Sequence, residues 1–432
     1  MKLRRAAAAF SLAALLGLAG CSSFRMGPEQ LLTPPRLTKQ QEEIRTALAA
    51  GIGTEEFSFF TPRAGRERSS VQFADVYGTS DSEAVVLYRL SADAAETRVH
   101  ILTRGTDAEW TTLCDFAPAA DTAIDRIAFA RVEPTGFEQL LIGNALYTGR
   151  ESALSVWEVD TGKPVNVFTA PYAEMAAGDL NGDETDEFVL LNTAAEGGTA
   201  VSLYDHDDAA NGIALRAETL LDVEFLAFTQ VTVGTLDTGS RAVYLDGRVG
   251  TDVYATEVVA IRNGAPEKLF GADCPTRPLP LTCLDIDGDG NPEVPIQDIL
   301  PGYADVAAKD RVMRIDWGKM GVAGLKERTV SAVNAKWQYL LLLPERLVGT
   351  VTVLSDGDGD AWTLCLWDAE KQSTSRKILT VRCYPASQWE ETATLHPEET
   401  VFLEEENICF TAETYQENVL SVEELKEQII LW

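Results

Sequence analysis

Histidine is nearly absent: the 432 residues contain three, His100, His206 and His396, which leaves little material for histidine-based acid–base chemistry. None of the patterns GxSxG, HExxH, GxxxxGK[ST] or GxGxxG occurs, so the usual signatures of hydrolases, zinc proteases and nucleotide binders are missing. Basic residues are outnumbered, with 36 Lys and Arg against 67 Asp and Glu and a formal charge of −31. Phosphate backbones demand clustered Lys and Arg, so nucleic acid is excluded as a partner. The seven cysteines include no CxxC pair, which argues against a zinc or redox centre. No apolar run reaches the ~20 residues of a membrane-spanning helix. Hydrophobic residues still make up 45% of the chain and charged residues 24%, a globular balance at a length that allows two or three domains.

What is abundant is Asp interleaved with Gly. The stretch Asp285-Ile-Asp287-Gly-Asp289-Gly-Asn291-Pro-Glu293 carries carboxylates at positions 1, 3, 5 and 9. That spacing lets a tight loop fold its oxygens around one hard cation, with position 7 (Asn291) offering a backbone carbonyl. An EF-hand would end with Glu at position 12, but Ile296 stands there after Val294 and Pro295, so the loop is expected to join two strands. The grammar recurs as Asp179, Asn181, Asp183, Thr185 and Glu187, before the apolar run Phe188 to Leu191. Both loops are read as calcium sites. Ser355-Asp-Gly-Asp-Gly-Asp360 looks similar, but the ninth position counted from Asp356 is Leu364, and it reads as an Asp-Gly hairpin turn.

The first residues have the layout of a targeting segment. Lys2, Arg4 and Arg5 form a basic region, Ala6 to Gly20 a short apolar one, and Leu18-Ala19-Gly20-Cys21 places small residues before a cysteine. Residues 1–20 resemble a bacterial lipoprotein signal. The resemblance implies a lipid on Cys21 and a cell-membrane anchor facing the extracytoplasmic side; an ordinary secretory signal is the alternative. Pro28, Pro34 and Pro35 then mark a tether within 21–56. Thr38 with Gln41 forms a capping box for a helix that Gly51 is expected to stop. An extracytoplasmic location permits disulfides. Cys365 and Cys383, in successive strand-like runs, are expected to lie opposite one another, as a disulfide or as buried thiols.

From about 57 to 330 the chain reads as strand after strand. Segments ending at or spanning 75, 131, 179, 234 and 285 recur at intervals of about fifty, each followed by a second apolar run and a hairpin such as 154–168 with its turn at Asp160-Thr161-Gly162. Four short strands per repeat describes a β-propeller blade. With the two acidic loops set between strands, the pattern resembles the FG-GAP/VCBS repeats of integrin-like and bacterial surface proteins. The resemblance implies a mainly β fold with a propeller of about five to six blades, and loops that hold calcium to stiffen blades. The first loop keeps Asp75, Asp81 and Glu83; those at Arg131 and Gly234 have lost the acidic pattern. After 285 no anchor falls at the expected interval, and 331–432 is assigned to a small α+β C-terminal domain ending in a helix with Val422, Leu425 and Ile429 on one face.

Two functions remain in contention. One is a surface-tethered binding or scaffold module for a protein or glycan. The other is a carbohydrate-active or other hydrolase using an acidic pair across the propeller face. The tryptophans sit mostly in alternating strands and read as packing. His206, among Asp205, Asp207 and Asp208, reads as a solvated hairpin tip.

Overall fold

The computed structural model describes residues 38–54, 56–78, 82–105, 108–119, 122–146, 152–193, 197–321, 324–405 and 407–432. The signal-like segment, Cys21 and the proline tether lie outside the described residues, as does Asp81.

The described residues are mainly β and form six antiparallel sheets in chain order. The second, for example, is the meander Thr122–Ala130, Gln139–Leu146, Ser152–Asp160 and Lys163–Tyr172. Its last hairpin closes as Asp160↔Lys163, with Thr161 and Gly162 both at positive φ, the turn that matches the right-handed twist of paired strands. The third sheet repeats the plan with Glu174–Gly178, Glu187–Thr193, Thr199–Asp207 and Gly212–Leu220.

Consecutive sheets share cores. Val85, Leu87 and Ile101 of the first sheet pack with Ile124, Ile127 and Leu140 of the second, and the Phe116 and Trp157 rings bridge the two at 4.7 Å. Leu141 and Val156 meet Phe188 and Leu190; Val189 and Leu191 meet Val243 and Val259; Ala242 and Tyr244 meet Val294 and Met320. Alternation along each strand thus supplies one sheet face to each neighbour, which is why the central strands read as continuous apolar runs.

The outer face of the first sheet is covered by a helix. Ile44 and Leu48 of Lys39–Ile52 pack on Ala84, Val86, Tyr88 and Leu102. The Thr38–Gln41 capping box is present, but Gly51 does not stop the helix. Gly53, at φ 74°, ends it, in the left-handed conformation that favours glycine. Gly51 instead permits close approach: a Cβ there would lie 2.2 Å from Thr112 Oγ1 and 2.9 Å from the His100 ring.

The expected C-terminal domain is corrected. The boundary at 330/331 falls inside strand Gly324–Asn334, which pairs with Met313–Gly321 on one side and Tyr339–Leu343 on the other. Ile429–Leu431 then adds to Tyr339–Leu343, so the chain end is a strand of the fifth sheet; Ile429 does not extend the helix Val422–Glu427. The sixth sheet, from Val351–Ser355 to Ile408–Thr414, shares one core with the fifth through Ala332, Tyr339, Leu341, Val353, Trp362 and Phe410. The interval after 285 lengthens because residues 300–312, with a short 3₁₀ turn at Ala308–Asp310, are inserted between strands Val294–Ile299 and Met313–Gly321.

The Cys365–Cys383 pairing is corrected as well. Register shifts within the hairpin place Cys365 opposite Lys377 and put Arg382 opposite Ala361, while Cys383 faces Phe410 on the next strand. The six cysteines from Cys114 to Cys409 are free thiols.

Candidate metal-binding loops

The acidic loops occupy equivalent places, each between the first two strands of its sheet. Residues 179–186 join Glu174–Gly178 to Glu187–Thr193. Residues 285–292 lead into Val294–Ile299, whose preceding strand is reduced to the bridge Leu284↔Glu293.

Glu293 is 2% exposed. One of its oxygens, Oε2, accepts from the Ile286 N–H at 2.7 Å, whereas Oε1 is buried without a hydrogen-bond partner. Burial pushes its carboxyl up to about 7, with Asp287 and Asp289 adding to the rise. Asp285 closes the loop from inside, accepting from Gly288 N–H at 2.8 Å and Gly290 N–H at 2.9 Å. Oxygens of Asp285, Asp287 and Asp289 can approach within 4.8 Å of one another. Lys319, on strand Met313–Gly321, places its Nζ 2.6 Å from Asp287 and 2.7 Å from Asp289. Its hydrogen bond holds the Asp289 carboxyl below the usual range. An orphaned buried carboxylate oxygen beside three converging aspartates is a donor set that fits a hard oxygen-seeking cation.

The 179–187 loop shares the backbone and differs inside. Asp179 accepts from Gly182, Asp183 and Glu184 N–H groups. Glu187, also buried and also pushed up to about 7 by burial, accepts from Leu180 and Asn181 N–H at 2.9 and 3.2 Å. Here the interior is satisfied by an amide: Asn181 Nδ2 donates to Glu187 Oε1 at 2.6 Å and to Asp183 at 2.9 Å. Thr185 Oγ1 also donates to Asp183, so Asn181, Asp183, Thr185 and Glu187 form one closed network.

Four sheets share a clamp that the acidic pattern alone does not reveal. Position 9 is Glu83, Gln139, Glu187 or Glu293, and each accepts from the N–H at position 2: Val76, Val132, Leu180 or Ile286. Gln139 shows that hydrogen-bond acceptance, not charge, is the shared requirement. In the shorter fourth-sheet loop a backbone carbonyl substitutes, Leu236 N–H donating to Ser240 at 2.7 Å. The 355–360 turn is a hairpin as read, and yet Asp356 accepts from Gly359 and Ala361 N–H as Asp285 does from Gly288 and Gly290.

The loops are also stitched to each other. Glu138 accepts from Asp75 N–H at 3.0 Å, Asp186 from Arg131 N–H at 2.7 Å and Asn291 from Thr235 N–H at 3.0 Å. Gly234 makes room for the last of these, since a Cβ there would lie 2.5 Å from Pro292 and 2.8 Å from Tyr244. Two cavities flank the 285–293 loop. One of ~90 Å³ is lined by Thr235, Tyr244, Asn291, Glu293 and Lys319. The other, of ~370 Å³, is lined by Asp287, Glu293, Trp317, Lys319, Glu327 and Glu345 among others.

His206 is not a solvated tip. Its Nδ1 lies 2.5 Å from Glu133 of the second-sheet loop and its Nε2 3.2 Å from Asp208, tying the third sheet to the second.

No family model matches the chain, and no curated protein does. Among solved structures it is similar to the exotype rhamnogalacturonan lyase YesX, at 10% identity and TM-score 0.33 over 67% of this chain and 74% of that one. The Bacillus licheniformis rhamnogalacturonan lyase PL11 matches at 10% identity and TM-score 0.35 over 74% and 62%. The Dos1 propeller matches at 11% identity and TM-score 0.30 over 70% and 66%. Similarity at this level bears on neither ligand nor activity.

Proposed function

We propose that the protein is an extracytoplasmic lipoprotein, anchored by a lipid on Cys21, whose six sheets are the blades of an FG-GAP/VCBS-type propeller. It acts as a binding or scaffold module for a protein or glycan, stiffened by calcium in the 179–187 and 285–293 loops. The observation that carries the calcium reading is Glu293: a carboxylate oxygen buried without a partner beside Asp285, Asp287 and Asp289 is costly unless a cation meets it. The chain's own residues would supply the rest, with the Gly-rich backbone turned by Asp285 and the clamp from Glu293 holding the loop open at one end.

The hydrolase alternative is weaker. The ~370 Å³ cavity does gather Asp287, Glu293, Glu327 and Glu345, but the aromatic side chain in its wall, Trp317, is 0% exposed and donates its Nε1–H to Ser331. A sugar-stacking platform needs an exposed ring face, so the cavity favours ion binding over polysaccharide cleavage.

The anchor is tested by metabolic labelling with a fatty-acid analogue, which should mark the wild type and not Cys21→Ser. For calcium, a chelator should lower the melting temperature of the purified protein; an unchanged melting curve would make the loops metal-free turns. Release of reducing sugar from a polysaccharide panel would replace the binding reading by the enzymatic one.

A further inference from the structure

The two loops share carboxylates at positions 1, 5 and 9 but carry Asp287 and Asn181 at position 3, and the groups that meet their acids differ, only one of them being charged. We propose that Lys319 is a built-in competitor at the 285–293 loop, so that a divalent cation enters that loop only by expelling the lysine ammonium. The inference rests on the calcium reading above.

Three observations support it. The Lys319 Nζ is shared between Asp287 and Asp289, at 2.6 and 2.7 Å, two of the three aspartates whose oxygens converge. Glu293 Oε1, on a side chain 2% exposed, still lacks a partner, so the ammonium satisfies the outer half of the loop and leaves the buried half unmet. Lys319 and Glu293 both line the cavities on either side of the loop, and the ~370 Å³ one also holds Glu327 and Glu345. A displaced ammonium therefore has space and new carboxylates within the same wall. In the 179–187 loop the corresponding donor is the neutral amide of Asn181. An amide can turn its oxygen inward, as Asn side chains commonly do around calcium, and no positive charge has to leave.

The consequence is two classes of site, one limited by charge competition and one not. Calcium titration calorimetry on the purified protein, paired with terbium(III) emission sensitised by Tyr244 and Trp317, reads both. Lys319→Met keeps the aliphatic stem and removes the charge. It should tighten one class by roughly tenfold, the loss of two partly exposed ion pairs, and leave the other unchanged. Lys319→Arg, which keeps the charge, should behave like the wild type, and Asp183→Asn should weaken only the class that Lys319→Met does not affect. Binding that appears only once Lys319 is replaced would also support the proposal. Equal affinities in wild type and Lys319→Met at both classes would overturn the competition while leaving calcium binding intact. No calcium binding in either protein would remove both readings together.

Discussion

The loops at 179–187 and 285–293 start from one sequence grammar and end as different electrostatic objects. In the first, a closed web of amide, hydroxyl and backbone donors meets Asp183 and Glu187 from within the loop. In the second, the donor comes from another strand of the sheet as Lys319, and Glu293 is left half-satisfied. The carboxylate spacing is local information; what neutralises the carboxylates is tertiary information. The same division extends to the poorer loops. Glu133, at position 3 of the second-sheet loop, meets His206 of the third sheet, and Asp360 of the sixth-sheet turn meets Lys336 at 2.6 Å. In these three loops a basic side chain from beyond the loop meets a loop carboxylate.

The contrast predicts unequal costs for the same deletion. Glu187→Ala removes the acceptor of the buried Leu180 N–H, of the part-buried Asn181 N–H and of the Asn181 amide, so in chelator it should destabilise the protein by about 3 kcal/mol. Glu293→Ala removes one backbone clamp and also an unpartnered oxygen, and should cost about 1 kcal/mol. Denaturant unfolding of both variants measures this; equal losses would mean that the interior networks do not matter. Next in size, Gly234→Ala drives a methyl against Pro292 and should cost about 2 kcal/mol by overpacking, with faster amide exchange at Thr235, whose N–H is held by Asn291. Arg131→Ala, at the matching place before the 179–187 loop, should be near neutral because its contact with Asp186 is through the backbone. Calcium itself, at tenfold excess over its dissociation constant, should add about 1.4 kcal/mol to stability. That gain should survive Lys319→Met and fall when Asp285 and Asp289 are both changed to Asn.

Much of this was legible in the chain. The hairpin at Asp160-Thr161-Gly162, the capping box at Thr38 and the strand-to-strand setting of both acidic loops follow from turn chemistry and alternation, which act over a few residues. Three things were not. Gly51 read as a helix stop because glycine usually is one; its role depends on His100 and Thr112 arriving from the first sheet. The C-terminal region read as a separate domain because the repeat interval broke, although the inserted 300–312 segment breaks the count without breaking the stack. Lys319 carried no signal, since a lysine in an amphipathic strand normally faces solvent and nothing local ties it to aspartates thirty residues earlier. One further signal stands in the sequence: an acceptor eight residues after four of the five anchors, with Gln139 standing in for Glu.

The smallest effect tests the loop that has lost its acids. Glu133 and Asp208 raise the His206 pKa even though partial burial of the ring works in the opposite direction. The groups facing it are those two carboxylates, while Arg216 is turned to the His206 carbonyl at 2.7 Å and to Asp205 and Asp207. Because the folded-state pKa lies above the unfolded value of about 6.5, the contribution is fully present below that value and is lost as pH rises through the folded pKa. His206 is partly exposed, so the stabilisation is about 0.5–1 kcal/mol. Relative to His206→Gln, which carries no titrating group at that position, wild type should therefore lose that much stability as pH rises from below about 6.5 through the folded pKa. The difference should shrink in high salt, as expected for a contact between a histidine on one sheet and a carboxylate on the next. Parallel pH profiles for the two proteins would show that Glu133 is held by the Gln139 clamp on its backbone N–H and gains nothing from the histidine.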